Sequence, residues 1–318
     1  MQPLTNRKIV LVVRRTRLDD LVTRFNTVAQ ARFYIEHLGA DFSDYETEHR
    51  VYHEALATTQ RQLRQFGRLQ VLDRQFLPNF IFGPQDTVVV LGQDGLVANT
   101  LKYLDQQPLL GVNPDPSRWD GVLLPFTPNT LHHGLRQVFF ATSPAYQAVT
   151  LACARLNDGQ LLYAVNDLFI GLKSHASARY TLRQGGYEEQ QSSSGIIVST
   201  GLGATGWLSS LLAGAHGIIN ALYPEAAIPA QAPASTMPWD AEYLCYTVRE
   251  PFPSRASSTT QVFGKITADQ PLFLLSHMPE QGVIFSDGIE SDFIAFNAGT
   301  QATISLADKR GQLVMNGA

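Results

Sequence analysis

The stretch VVVLGQDG, residues 88–95, decides the reading of the fold. Val88, Val89, Val90 and Leu91 form a branched, unbroken apolar run, the pattern of a strand covered on both faces, and Gly92 and Gly95 mark a tight turn after it. The acid in that turn, Asp94, either caps a helix beginning near Leu96, a role worth about 1 kcal/mol, or takes part in chemistry. Flanking glycines let backbone approach a ligand closely, and a helix N-terminus accommodates phosphate oxygens.

The neighbouring sequence supplies partners for that strand. Ile9 to Val13 form a second buried run, ending in the basic turn Arg14, Arg15 and Arg17, which is either a solvated turn or a phosphate contact. Leu18, Leu21, Phe25 and Val28 recur at helical intervals, predicting one helix over 18–38 with Gly39 as its stop. A more polar helix is predicted over about 45–66, with Val51, Leu56, Leu63 and Phe66 turned inward. Short strands at 69–72 and 108–112, a short helix at 96–104 and an irregular FLPNFIFGP segment complete this half. Strands alternating with helices predict an α/β domain with a mainly parallel sheet.

Beyond a helix over 131–140 the texture changes. Asn157-Asp158-Gly159 and Gly185-Gly186 each separate two strand-like runs, the signature of hairpins. One helix, 204–222, is entered through the glycine-rich TGLGATG, and an Ala/Pro-rich loop is expected over 223–238. EYLCYTV, LFLLS, VIFSDG, TQATISLAD and QLVM read as further strands. The predicted organisation is an α/β domain, 1–130, carrying the GxDG turn, and a domain dominated by antiparallel β structure, 131–318, whose last segment packs back on the first.

Bulk properties set limits on partners. A chain of 318 residues buries enough surface to fold without disulfides or a structural metal. Cys153 and Cys245 have no metal-ligand spacing and suit a reducing compartment. No apolar segment is long enough for a signal core or a membrane span, so a cytoplasmic location is expected. A net charge of −4 with mixed signs offers no footprint for nucleic acid or membrane, leaving small, locally bound anions.

Three further elements carry candidate chemistry. Asn166 and Asp167 interrupt LLYAVNDLFIG, where buried polar groups need a ligand, a bulge or a turn. SSSGIIVSTGLGATGW, residues 192–207, reads strand, loop, helix, and its loop offers backbone N–H groups with Thr200 and Thr205. Asp287-Gly288 follows a strand, as a tight turn does. His132, His133 and His277 lack a second ligand in the sequence and are set aside as metal sites.

In order and spacing, these motifs resemble the NAD kinases, within the superfamily that includes diacylglycerol kinases. GQDG stands where that family has GGDG, and LLGVNPDP, Asn166-Asp167, SSGIIVSTGLGATGW and Asp287-Gly288 follow as its later motifs do. GVNPDPSRWDGVLLP, Trp207 and VREPF lean toward the mitochondrial-type branch. The resemblance implies an active site in the cleft between an α/β domain and a β-rich domain, and transfer of phosphate from ATP to the adenosine ribose 2′-hydroxyl of NAD. It also implies Mg2+ or another divalent cation without a direct protein cage, and self-association into a homodimer or larger assembly. Asp94 would orient or accept the hydroxyl proton, Gly92 and Gly95 would let the turn close on phosphate, and Gln93 and Asn113 would bind nucleotide or substrate. Asn166 and Asp167 would hold ribose hydroxyls, while Ser194, Thr200, Gly203, Thr205, Gly206, Trp207 and Asp287 would line the nucleotide. The sequence departs from the family at Gln93, where a positive φ would cost about 1–2 kcal/mol, and at Leu96, Ser194 and Leu202. These departures leave open a related kinase for a sugar or lipid hydroxyl, or a nucleotide-binding protein without turnover.

Overall fold

The computed structural model describes residues 4–224 and 237–316 and divides the chain into two compact units. The first runs to Gln147 and resumes at Gly311. The second spans Ala148–Arg310.

The first unit opens with strand β1 (Lys8–Val13), helices α1 (Arg17–Phe25), α2 (Val28–His37) and α3 (Ser43–Phe66), and strand β2 (Arg68–Asp73). It continues with β3 (Thr87–Leu91), helix α4 (Asp94–Leu101), β4 (Pro108–Val112) and helix α5 (Leu131–Phe140). The strands lie in the order β2-β1-β3-β4 and all run parallel. The apolar runs of β1, β3 and β4 are buried, because helices cover both faces of such a sheet, whereas the edge strand β2 leaves Val71 exposed. Ile9, Leu11, Val89, Leu91 and Leu110 meet Tyr52 and Leu63 of α3 and Leu131 and Leu135 of α5 in one core.

Local chemistry corrects the predicted elements here. The single helix expected over 18–38 is two. Asn26 takes a left-handed conformation (φ 67°) and ends α1, and Thr27 starts α2 by accepting a hydrogen bond from Gln30 N–H. On α3 the buried positions are Glu48, Tyr52, Ala55, Thr59, Leu63 and Phe66, so Val51 and Leu56 sit at the edge of the buried stripe. FLPNFIFGP begins within a 3-10 turn, Arg74–Asn79, capped by the Asp73 carboxylate, which accepts from the Gln75 N–H. The first unit extends past 130, because α5 contributes Leu131, Leu135 and Val138 to its core.

The second unit contains β5 (Tyr146–Leu156), β6 (Leu161–Ala164), β7 (Asp167–Leu172), β8 (Ala178–Gln184), β9 (Tyr187–Ser193), β10 (Ile196–Ser199) and helix α6 (Trp207–Leu222). After the undescribed residues come β11 (Leu244–Val248), β12 (Phe263–Ile266), β13 (Leu272–Ser276), β14 (Gly282–Ser286), β15 (Ile289–Ala295) and β16 (Gln301–Val314). One antiparallel sheet has the order β12-β11-β10-β7-β14-β15. The other strands of this unit include the antiparallel series β16-β13-β8-β9 and the β5–β6 hairpin. Leu168, Ile170, Ile196, Val198 and Ile284 of the first sheet interdigitate with Ala152, Tyr180, Leu182, Leu274 and Ile304, forming a sandwich core. Helix α6 covers the other face of the six-stranded sheet, where Trp207 and Leu211 pack on Phe169, Ile197 and Val283.

Both predicted hairpins form, and Gly185 and Gly186 both take positive φ between β8 and β9. The expected strand through Asn166-Asp167 breaks there instead. Bends at Val165 and Asn166 separate β6 from β7, which belong to different sheets. The two last predicted strands are one, β16, and β12 and β15 were not anticipated. Most of the loop expected over 223–238 lies outside the described residues.

Candidate functional site

In the first unit, parallel β3 ends at Leu91 and the chain turns through Gly92 and Gln93 into α4. Gln93 is the N-cap in extended conformation (φ −119°), so the positive φ that would strain it is not required. Asp94 opens α4, and its carboxylate does not cap that helix. Its Oδ1 accepts the Leu123 N–H at 2.7 Å, while Oδ2 accepts no hydrogen bond among the described residues. Asn113 shapes the loop that delivers this N–H. Its amide donates to Trp119 O (2.9 Å) and its Oδ1 accepts from Asp115 N–H (3.0 Å), so its polar atoms are engaged inside the protein. Leu96 turns its side chain back over Gly92, where an added Cβ would lie 2.9 Å from Leu96 Cδ2. A Cβ on exposed Gly95 would meet nothing.

The three arginines after β1 part company. The stem of Arg14 runs beside the turn, its Cδ 3.8 Å from where a Gly92 Cβ would stand. Its Nη2 pairs with buried Glu48 at 2.9 Å, its backbone N–H donates to the Tyr52 hydroxyl, and its buried Nε makes no hydrogen bond. Arg17 is held by Glu48 (2.5 Å) and Asp44 (2.7 Å). Arg15 is exposed and reaches Thr23. Of these three, Arg14 is the one whose stem lies against Gly92, and its unpaired Nε is buried.

In the second unit the break at 165–167 is a polar hub. Asp287, in left-handed conformation (φ 56°) after β14, accepts through Oδ1 from Val165 N–H (3.0 Å), Asn166 N–H (2.6 Å) and Asp167 N–H (3.4 Å). This carboxylate holds the turn that presents the Asn-Asp pair. Thr200, fully buried, donates its hydroxyl to Val165 O (2.5 Å) and its N–H to Asn166 O (2.9 Å), tying the glycine loop to the same turn. Gly203 passes so close that a Cβ would lie 2.2 Å from Asn166 O, so glycine is required there by packing. Ser199 donates to Asp167, whose carboxyl is pushed up to about 7. Burial is the main cause; the Ser199 hydrogen bond opposes it, and the nearby Asp287 carboxylate adds to it. Leu202 is buried, whereas Thr205 and Gly206 are exposed at the entrance to α6.

The second unit also contains a cavity of about 600 Å³, toward the end of β7 away from this hub. Trp207 and Ser194 border it, with Phe169, Phe285, Lys173, His175 and Arg249. Trp207 and Phe169 lie nearly parallel with centroids 6.0 Å apart, and the Arg249 guanidinium stands 5.6 Å from the Trp207 ring. Such a wall of rings and cations suits a planar, anionic ligand. Lys173, His175 and Phe285 carried no signal in the sequence, since the hairpins that bring them together join distant segments.

The structure thus gathers Gly92, Gln93, Asp94, Gly95, Asn113 and Arg14 in the first unit, and Asn166, Asp167, Thr200, Gly203 and Asp287 in the second. Thr200, Asn113 and Asp287 spend their hydrogen bonds on holding loops. Among the described residues no helix is long and apolar enough to cross a membrane. No protein-family model matches the chain, and no curated protein does. Solved structures do match. An NAD kinase from Archaeoglobus fulgidus, in complex with ATP, aligns over 97% of this chain and 94% of its own at 14% identity and a TM-score of 0.53. Yeast NADH kinase, complexed with NADH, aligns over 99% of this chain and 85% of its own at 14% identity and a TM-score of 0.57. The chain has the fold of these kinases.

Proposed function

We propose that this protein is a kinase that transfers phosphate from ATP to the adenosine ribose 2′-hydroxyl of NAD, giving NADP. The observation that carries the reading is the state of Asp94. At the end of a buried parallel strand, its carboxylate is aimed by one backbone N–H, keeps an oxygen uncommitted and does no capping work. Phosphoryl transfer asks for that: a fixed acceptor for the hydroxyl proton, beside backbone and a cation that receive phosphate. Gly95 leaves the backbone open, and the guanidinium of Arg14, paired with Glu48, stands beside the turn. On the other unit, Asn166 and Asp167 sit on a turn fixed by Asp287 and Thr200, which suits recognition of ribose hydroxyls. The ATP and NADH held by the two structural neighbours support these ligand classes.

A divalent cation such as Mg2+ fits this arrangement without a protein cage. The free oxygen of Asp94 is one hard ligand, and the ion would take its others from phosphate and water. When bound it supplies charge neutralisation at the phosphates. Self-association is supported by exposed Ile218, Leu222 and Tyr223 at the end of α6. A cytoplasmic site of action suits two unpaired buried thiols.

The test is NADP formation from ATP, NAD and Mg2+ by purified protein and by Asp94→Asn. The wild type is expected to form NADP, and the variant to be slower by about a hundredfold, the cost of losing one well-placed charged group. Equal rates, or no NADP from either, reject the reading. Buried Leu202 cannot present itself to a ligand, which weakens the case for another acceptor. ADP release with a sugar or lipid, and none with NAD, would establish the alternative.

A further inference from the structure

Away from the GQDG turn, the first unit brings together three ligating side chains that the kinase reading leaves unused. His49 and His53 are four residues apart on α3, one turn above the other on the same face. Asp19, in the first turn of α1, faces them. His49 Nδ1 lies 3.5 Å from Asp19 Oδ1, and His53 Nε2 lies 3.6 Å from Asp19 Oδ2. One ligand atom from each of the three side chains falls within 4.8 Å of the others.

These separations, each to a different oxygen of the carboxylate, are long for hydrogen bonds, and the three ligand atoms stand near enough for a single dication to draw them together. The carboxylate is also braced. Thr16 donates to Asp19 Oδ2 from its backbone N–H and from its hydroxyl, both at 2.8 Å, as the capping box of α1. Outer hydrogen bonds of this kind orient metal ligands and hold them ready. His49 Nδ1 meets the Thr16 hydroxyl at 2.9 Å, a contact that ligation would replace. All three side chains are partly exposed, which leaves an entry path and a coordination position for water.

We propose that Asp19, His49 and His53 form a site for a borderline transition-metal dication, such as Zn2+ or Co2+, that clamps α1 to α3. Two imidazoles and a carboxylate select such ions over Mg2+, which prefers oxygen ligands. The site is distinct from the Mg2+ of the proposed reaction and stands or falls without it.

The experiment titrates Co2+ into the untagged, metal-stripped full chain, with no ATP or NAD present, following visible absorption and calorimetric heat. One equivalent is expected to bind with the intense absorption of a low-coordinate site and to raise Tm. His53→Ala, at an exposed position, should weaken binding at least tenfold, and His49→Ala with His53→Ala should abolish both the spectrum and the Tm shift. Circular dichroism of the metal-free variants confirms that they fold. Absence of stoichiometric binding by the wild type, or unchanged binding by the double variant, overturns the proposal.

Discussion

Asp167 is the side chain whose chemistry and stability pull in opposite directions. Its carboxyl is raised from 3.8 to about 7, so the folded protein holds this proton more tightly than the unfolded chain does. The native state then binds more protons between those values, and the contribution of Asp167 to stability falls as pH rises from about 4 to about 7. Asp167→Asn removes the ionisation while keeping an acceptor for Ser199. Urea unfolding at pH 8 should show the variant more stable by about 2–4 kcal/mol, with the difference fading toward pH 4. The same variant should phosphorylate NAD poorly if the carboxylate holds ribose. A variant less stable than wild type at pH 8 would show that the ionised carboxylate is well solvated in its hub. Glu48 shows the opposite sign. Burial raises its carboxyl, but Arg17 and Arg14 outweigh that and hold it below the usual range. Its stabilising share is present above the unfolded carboxyl range and lost as pH falls through its folded value. Glu48→Gln leaves buried Arg14 without its charge partner and should cost about 3 kcal/mol at neutral pH in the same assay.

At the scale of elements, two glycine loops do different work. A Cβ at 203 would strike the backbone oxygen of Asn166, whereas a Cβ at 95 would enter open space on the first turn of α4. Gly203→Ala should therefore destabilise by about 3 kcal/mol through overpacking, seen as a lower urea midpoint. Gly95→Ala should be neutral or stabilising by up to about 1 kcal/mol, because alanine is the better helix former. If phosphate approaches that backbone, Gly95→Ala should nevertheless raise the KM for ATP; an unchanged KM would remove Gly95 from the phosphate site. The sequence carried the elements on which these loops hang. Val88 to Leu91 and Leu109 to Val112 are apolar throughout because both faces of their sheet are covered, and that pattern needs no tertiary knowledge. The break at Asn26 was hidden because the apolar spacing runs on through it, while one left-handed residue ends the helix. Strands β12 and β15 were hidden because edge strands with half-exposed polar residues lack a buried stripe. The partner of Asn166 was hidden for another reason: Asp287 lies 121 residues away, and only pairing of β14 with β7 brings it there. His49 and His53 are legible as a helical pair, but their third member requires α1 to pack on α3.

At the scale of the whole chain, the last strand does double duty. Its first part pairs with β13 in the second unit, Leu272 opposite Ile304. From Gly311 onward the chain belongs to the first unit, where Gln312 and Leu313 pair in parallel with Pro108 and Leu109 of β4. Leu313 and Val314 are fully buried, and Val314 shares the core with Leu110 and Leu135. The parallel sheet of the first unit is thus closed on its β4 side by residues that arrive after the second unit is complete in sequence. Contacts of such long range form late and at a high entropic cost, so the first unit reaches its full stability only once the C-terminal segment is in place. A chain ended after Arg310 loses two buried aliphatic side chains and the β4 pairing, a deficit of about 3–5 kcal/mol confined to the first unit. Hydrogen exchange should then show faster labelling of β3 and β4 peptides and unchanged protection of β7, β10 and β11. Since Asp94 stands at the end of β3, the truncated chain should also lose NAD phosphorylation. Full protection of β3 and β4 in the shortened chain would show that the first unit holds its sheet without the returning strand.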